Sequence, residues 1–200
     1  NTIKELGNRQ ALLSSGKYIK SPLNYIGGKY KLLPQIIPYF PSEIRTFVDL
    51  FCGGCNVSMN VSAKKILCND INTKIIELYK VFKKTPIEKI IQRIEQNIER
   101  YGLSKVNEEG FKAFRDYYNA TKDPIDLYTL TCYSFNYQFR FNNNLEYNNP
   151  FGRNRSQFSD NMRRNLYLFV DRLQSLPITF SSKDFIKVSL RNLSEGDFIY

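Results

Sequence analysis

Residues 45–70 read RTFVDLFCGGCNVSMNVSAKKILCND. Arg45 to Phe51 is rich in β-branched and aromatic side chains and runs into Gly53-Gly54. That is the pattern of a buried strand closed by a tight turn. Asn56 to Lys64 reads as a helix starting at the turn, and Lys64 to Asp70 as a second short strand ending in an acid. Asn72 to Phe82 follows as a helix with Ile75, Ile76, Tyr79 and Phe82 on one face. Strand, glycine turn, helix and acid-terminated strand together open an α/β sheet of the Rossmann-like, nucleotide-binding kind.

Upstream, residues 1–20 are a polar lead-in with a short helix expected around Gln10 to Leu13. Tyr30 to Ile37 follows Gly27-Gly28 as a short helix stopped by Pro38. Downstream, the pattern turns helical. Ile87, Ile90, Ile91, Ile94 and Ile98 repeat at helical spacing behind Pro86. Further helices are predicted over Glu108 to Asn119, Ile125 to Tyr137 and Asn161 to Leu176, with an irregular stretch, FRFNNNLEYNNPFGRNRSQF, before the last. Ile178 to Ser182 and Phe198 to Tyr200 return to strand, and Asp184 to Leu193 is mixed, with a short helix. The expected layout is a lead-in (1–20), a nucleotide-binding unit in two pieces (21–85 and 177–200) and a helical insertion (86–176) of the type that serves recognition.

With 42% apolar residues, 15 Phe and 14 Tyr in 200 residues, the chain can bury a core. Its 29 basic against 19 acidic residues give a net charge of +10. That balance points to a polyanion, nucleic acid before acidic membrane; inflation of Lys, Asn and Ile by an AT-rich genome is the other reading. No histidine is present. Its absence excludes a Ser-His-Asp triad, a Cys-His pair and His-containing zinc sites, and leaves acid–base work to carboxylates, Lys, Tyr and backbone groups. Cys52 and Cys55 form a lone CxxC, and Cys68 and Cys132 lack paired spacing. They read as buried thiols in a reducing cytosol, with no metal expected. No apolar run is long enough to span a membrane, and no secretory signal is visible.

Four features carry candidate chemistry. The Gly53-Gly54 turn lets backbone approach a ligand closely, with free N–H groups at the start of the expected helix; a plain βα turn is the alternative. Asp70 lies 21 residues after Asp49 and can accept hydrogen bonds from ribose hydroxyls or cap the next helix. In Tyr25-Ile26-Gly27-Gly28-Lys29-Tyr30, Lys29 can meet a carboxylate and Tyr25 can stack on a planar ring, or the segment is a surface turn. Between Gln138 and Arg164 five arginines face two acids, interleaved with Phe and Asn. Forked arginines and amides suit phosphates and base edges; a solvated loop is the alternative. Neither GxGxxG nor the Walker spacing occurs, which weighs against a nicotinamide- or nucleotide-binding enzyme on a similar sheet.

In this order the motifs resemble the DNA adenine methylase family with the α-type arrangement, closest in flavour to its T-even phage form. NYIGGKYKLLPQI is similar to the family's N-terminal cofactor motif, FVDLFCGGCNVSMNV to its Asp-x-Phe-x-Gly-x-Gly motif, and ILCNDIN to its strand-ending acid. The insertion closing in NNPFGR resembles the target-recognition domain, and GDFIY the strand that leads into the catalytic Asp-Pro-Pro-Tyr. The resemblance covers residues 21–200. It implies a class I methyltransferase fold and methyl transfer from S-adenosylmethionine to adenine N6 in double-stranded DNA, usually in GATC, in a bacterial or phage-infected cytoplasm. It also implies cofactor contacts at Tyr25, Lys29, Asp49, Phe51, Gly53 and Asp70. The DNA contacts it implies lie in the insertion, at Arg140, Asn142, Pro150, Phe151, Arg153 and Arg155.

Two departures stand out. Cys55 replaces the motif's last glycine, and the 200 residues stop before Asp-Pro-Pro-Tyr, the element that receives a flipped adenine. The sheet is therefore expected to be incomplete at its C-terminal side, with an open edge that a second chain or a further C-terminal segment would cover. These residues alone are expected to bind without transferring methyl, as a catalytically dead DNA- and cofactor-binding fragment or one part of a split enzyme.

Overall fold

A computed structural model of the chain describes residues 18–200. The short helix expected around Gln10 to Leu13 lies outside the described residues. The chain is an α/β structure on one wholly parallel sheet, β1 (Thr46–Asp49), β2 (Lys65–Asn69), β3 (Ile178–Ser181) and β4 (Phe198–Ile199), ordered β3-β2-β1-β4. All four residues of β1 are buried. A strand sandwiched between two others in a parallel sheet is covered on both faces, which accounts for its unbroken apolar run. Register places Phe47 beside Ile66 and Phe198, and Ile66 beside Ile178. Among the described residues β4 forms the outer edge on its side, so the sheet is open there.

Before the sheet, residues 30–39 form three consecutive short pieces: a 3₁₀ turn, α1 (Leu33–Ile36) and a second 3₁₀ turn. Pro34 and Pro38 sit in the first turns of the second and third pieces, where a missing N–H costs nothing. The predicted helix over 56–64 does not form. Cys55 adopts φ 57°, and residues 56–60 make successive turns. Asn56 Oδ1 accepts from Ser21 N–H at 3.0 Å, while Asn60 bonds both backbone groups of Ile19. The two amides that would have lain along a helix instead tie this loop to residues 19–21.

Between β2 and β3 the chain forms α2 (Thr73–Lys84), α3 (Ile87–Tyr101), α4 (Glu108–Thr121), α5 (Pro124–Cys132) and α6 (Asp160–Ser175). Asn72 caps α2 by accepting from Lys74 and Ile75 N–H, so the cap is not Asp70. Ile87, Ile90 and Ile94 of α3 are buried, as the isoleucine spacing predicts. Gly102, at φ 57°, closes that helix. α5 is buried from Ile125 to Cys132. Its one carboxylate, Asp126, is held by both arms of the Arg93 guanidinium (2.9 and 2.8 Å) and by Asn97 Nδ2 (2.7 Å).

α5 ends five residues earlier than predicted. Its following backbone bonds to a distant segment instead: Phe135 N–H donates to Pro150 O and Gly152 N–H to Tyr133 O. Gly152 is required there, because a Cβ would stand 2.1 Å from Ser156 Oγ. Residues 139–148 then fold back as a hairpin, with Phe141 bridged antiparallel to Tyr147.

Candidate cofactor cleft and nucleic-acid face

In a parallel sheet, ligands settle outside the carboxyl ends of the strands where the order reverses. Here the reversal is at β1, since β2 and β3 lie to one side and β4 to the other. A cavity of about 410 Å³ opens at that point, lined by residues 25–29, the turn from Phe51 to Gly54, Asp49, Asp70 and Tyr200. Asp49 ends β1, Asp70 follows β2, and Tyr200 follows β4. Tyr200 N–H donates to Val48 O at 2.8 Å, which continues the β1–β4 pairing to the cavity mouth. All six residues expected to meet a cofactor (Tyr25, Lys29, Asp49, Phe51, Gly53 and Asp70) line this one cavity.

Their local bonds are specific. Gly53 N–H donates to Asp70 Oδ2 and Asn72 N–H to Asp70 Oδ1, each at 2.9 Å. Asp70 therefore fixes the glycine turn to the end of β2, and each oxygen keeps a second lone pair for a ligand hydroxyl. Gly53 O accepts from the buried Tyr79 hydroxyl at 2.7 Å. Gly53 sits at φ 44°, and a Cβ on it would stand 3.0 Å from the Tyr25 ring, so conformation and space both demand glycine. Burial raises the Tyr25 hydroxyl above its usual value. Lys29 Nζ folds onto Gly27 O at 2.9 Å and stays exposed. The free N–H groups of a helix start are not available at this turn, because no helix follows it.

Asp49 is buried and accepts from Ser58 Oγ at 2.5 Å. Burial, reinforced by the neighbouring Cys68, pushes its carboxyl up to about 7, against the bond from Ser58. On the outer rim, Phe51 is 66% exposed and packs its ring 5.4 Å from Phe185, while Ile71, next to Asp70, is 72% exposed. Sequence reasoning missed Ile71 and Phe185. An apolar residue directly after a strand-ending acid was the available signal for Ile71; Phe185 is 134 positions from Phe51 and had none.

The expected DNA-facing residues divide in two. Arg140 and Arg155 form no ion pair among the described residues, whereas Arg153 pairs with Glu108. Asn142 is used by the hairpin: Oδ1 accepts from Asn144 and Glu146 N–H, and Nδ2 donates to Glu146 Oε2. Phe151 packs 5.3 Å from Phe111 and Pro150 O receives Phe135 N–H, so both anchor the loop. Asn24 Nδ2 donates to Asn136 O at 2.7 Å, which joins the segment before the cleft to the base of this face.

A family model for D12 class N6 adenine-specific DNA methyltransferases matches residues 25–200. The chain belongs to this family. The type II methyltransferase M.FokI of Planomicrobium okeanokoites is 59% identical over 186 residues, covering 93% of this chain and 29% of its own length. The modification methylase StsI of Streptococcus sanguinis is 55% identical over 199 residues, covering 100% of this chain and 30% of its own. The DNA adenine methylase of Escherichia coli is more distant, at 29% identity over 158 residues, 76% of this chain and 54% of its own. The chain thus spans less than a third of the first two relatives. A type II methyltransferase and a modification methylase thus stand among its near relatives. No helix among the described residues is long and apolar enough to cross a membrane.

Proposed function

We propose that this chain is the cofactor-binding and DNA-reading part of an enzyme that transfers a methyl group from S-adenosylmethionine to N6 of adenine in double-stranded DNA, within a restriction–modification system. The observation that carries this is the meeting of Asp49, Asp70 and Tyr200, from three strand ends, in one cavity at the switch point. Asp70 would take the ribose hydroxyls on its free lone pairs. Phe51, Ile71 and Phe185 offer the apolar rim that an adenine ring needs beside that ribose. Asp49 and the Gly53 turn would border the methionine part, with Lys29 swinging from Gly27 O to its carboxylate and Tyr25 closing over it. Residues 21–85 and 177–200 would form the cofactor unit and residues 86–176 the target-recognition unit.

The Asp-Pro-Pro-Tyr tetrapeptide is not within these 200 residues. A chain running past Tyr200 on the path of β4 would carry it to the cavity mouth, where its Asp and backbone could accept the N6 amine of a flipped adenine. Residues 1–200 alone are therefore expected to bind without turnover. S-adenosylmethionine should raise the melting temperature and NAD should not. Asp70→Asn should weaken cofactor affinity by about tenfold, the scale of one charge-assisted hydrogen bond. A protein extended through the tetrapeptide should label adenine N6 in duplex DNA, with GATC the first site to test. No cofactor-dependent shift and no label would refute the proposal.

A further inference from the structure

Three of the four cysteines converge beneath the glycine turn. Cys52 and Cys55 bracket Gly53-Gly54, and Cys68 lies on β2 in register with Asp49 of β1. Their Sγ atoms all lie within 4.8 Å of one another, and all three residues are buried. Three sulfurs around one zinc ion at the usual Zn–S length of about 2.3 Å stand about 4 Å apart. The trio therefore needs only a small contraction to close on an ion.

A second observation concerns Cys55 itself. It holds φ 57°, left-handed backbone that disfavours any side chain, directly after two glycines. Glycine would satisfy the turn without strain. What the side chain adds is a sulfur, with no exposure to solvent, beside the other two. The donor set is also chemically uniform. No histidine exists in the chain, and the donor atoms that lie together here are the three sulfurs, with no carboxylate oxygen among them. A set of sulfurs without hard oxygen donors selects soft d¹⁰ ions over Mg²⁺ or Ca²⁺.

We propose that Cys52, Cys55 and Cys68 form a three-thiolate site for a thiophilic d¹⁰ cation of the Zn²⁺ class. Three S–H protons pass to solvent as three sulfur–metal bonds form, and no electron is transferred. Cys52 lines the cleft, so a fourth ligand, water, reaches the ion from that side. The ion cross-links the cofactor turn to β2, and its binding energy adds to the stability of the fold. The site stands on the thiol geometry and is independent of the methyltransferase reading.

Cd²⁺ is the probe, because its bonds to thiolate absorb in the near ultraviolet. Titrating the reduced, metal-free protein should give a charge-transfer band saturating at one Cd²⁺ per chain, a higher melting temperature, and loss of the band on adding a strong chelator. Cys55→Gly relaxes the left-handed backbone and should fold, yet lose both band and shift; Cys68→Ser should do the same. Cys132→Ser, outside the cluster, should keep both. Absence of the band in the reduced protein, or a band unchanged in Cys55→Gly and Cys68→Ser, overturns the proposal. Melting with S-adenosylmethionine, recorded on the same samples, reports separately on the cofactor reading.

Discussion

Asp49 shows how one residue can couple position to protonation. It ends the most buried strand of the sheet, and burial holds its carboxyl near 7, far above its ordinary 3.8. The fold therefore keeps a proton that the unfolded chain has already released. The resulting stabilisation is fully present below about 3.8 and is lost as the pH rises through about 7. At about 1.4 kcal/mol per pKa unit this amounts to a few kcal/mol. Urea midpoints measured from pH 5 to pH 8 should fall in the parent protein and stay level in Asp49→Asn. Equal slopes in the two proteins would mean that Asp49 is ionised in the fold throughout. The neighbouring Asp70 plays a different part, since both its oxygens already hold backbone N–H groups that shape the glycine turn.

At the scale of elements, helix ends and the hairpin over residues 139–148 are governed by side-chain amides. Asn72 caps α2, Asn107 caps α4, and Asn142 holds the hairpin by accepting from two backbone N–H groups. Asn72→Ala should cost about 1 kcal/mol of stability, read from chemical denaturation. Asn142→Ala should leave the melting temperature nearly unchanged, since the site is exposed, but loosen the hairpin and weaken duplex DNA binding severalfold in a titration by anisotropy. If binding is unchanged, the hairpin does not touch DNA. The spacing of isoleucines made α3 readable because a single face is buried. α5 was readable only in part: it is buried all round, and its end is set by hydrogen bonds to residues 150–152 that no local pattern encodes.

For the molecule as a whole, the net charge of +10 is a statement about partners. Binding to duplex DNA should weaken steeply with salt as neutralised phosphates release their counterions. Arg155 is free of ion pairs among the described residues and Arg153 is paired with Glu108. Arg155→Ala should therefore reduce the slope of log K against log salt by about one, and Arg153→Ala by less. Equal effects of the two would show that the Glu108 pair opens on binding. The β4 edge belongs to this scale too: among the described residues no strand pairs with its outer side, and such an edge exposes backbone N–H and C=O groups to pairing.

The sequence by itself determined the strand, glycine turn and acid-ended strand, the helices α2 and α3, and membership of the adenine methyltransferase family. These rest on local periodicity and on motifs whose residues are close in the chain. Tertiary structure alone decided that residues 56–60 turn rather than coil, because Asn56 and Asn60 find partners at 19–21. It also decided that Cys68 joins a CxxC from which spacing excluded it. Parallel pairing of β1 and β2 lays positions 19 residues apart in sequence against one another, as Asp49 beside Cys68, a proximity created by backbone hydrogen bonds rather than by any repeat in the chain.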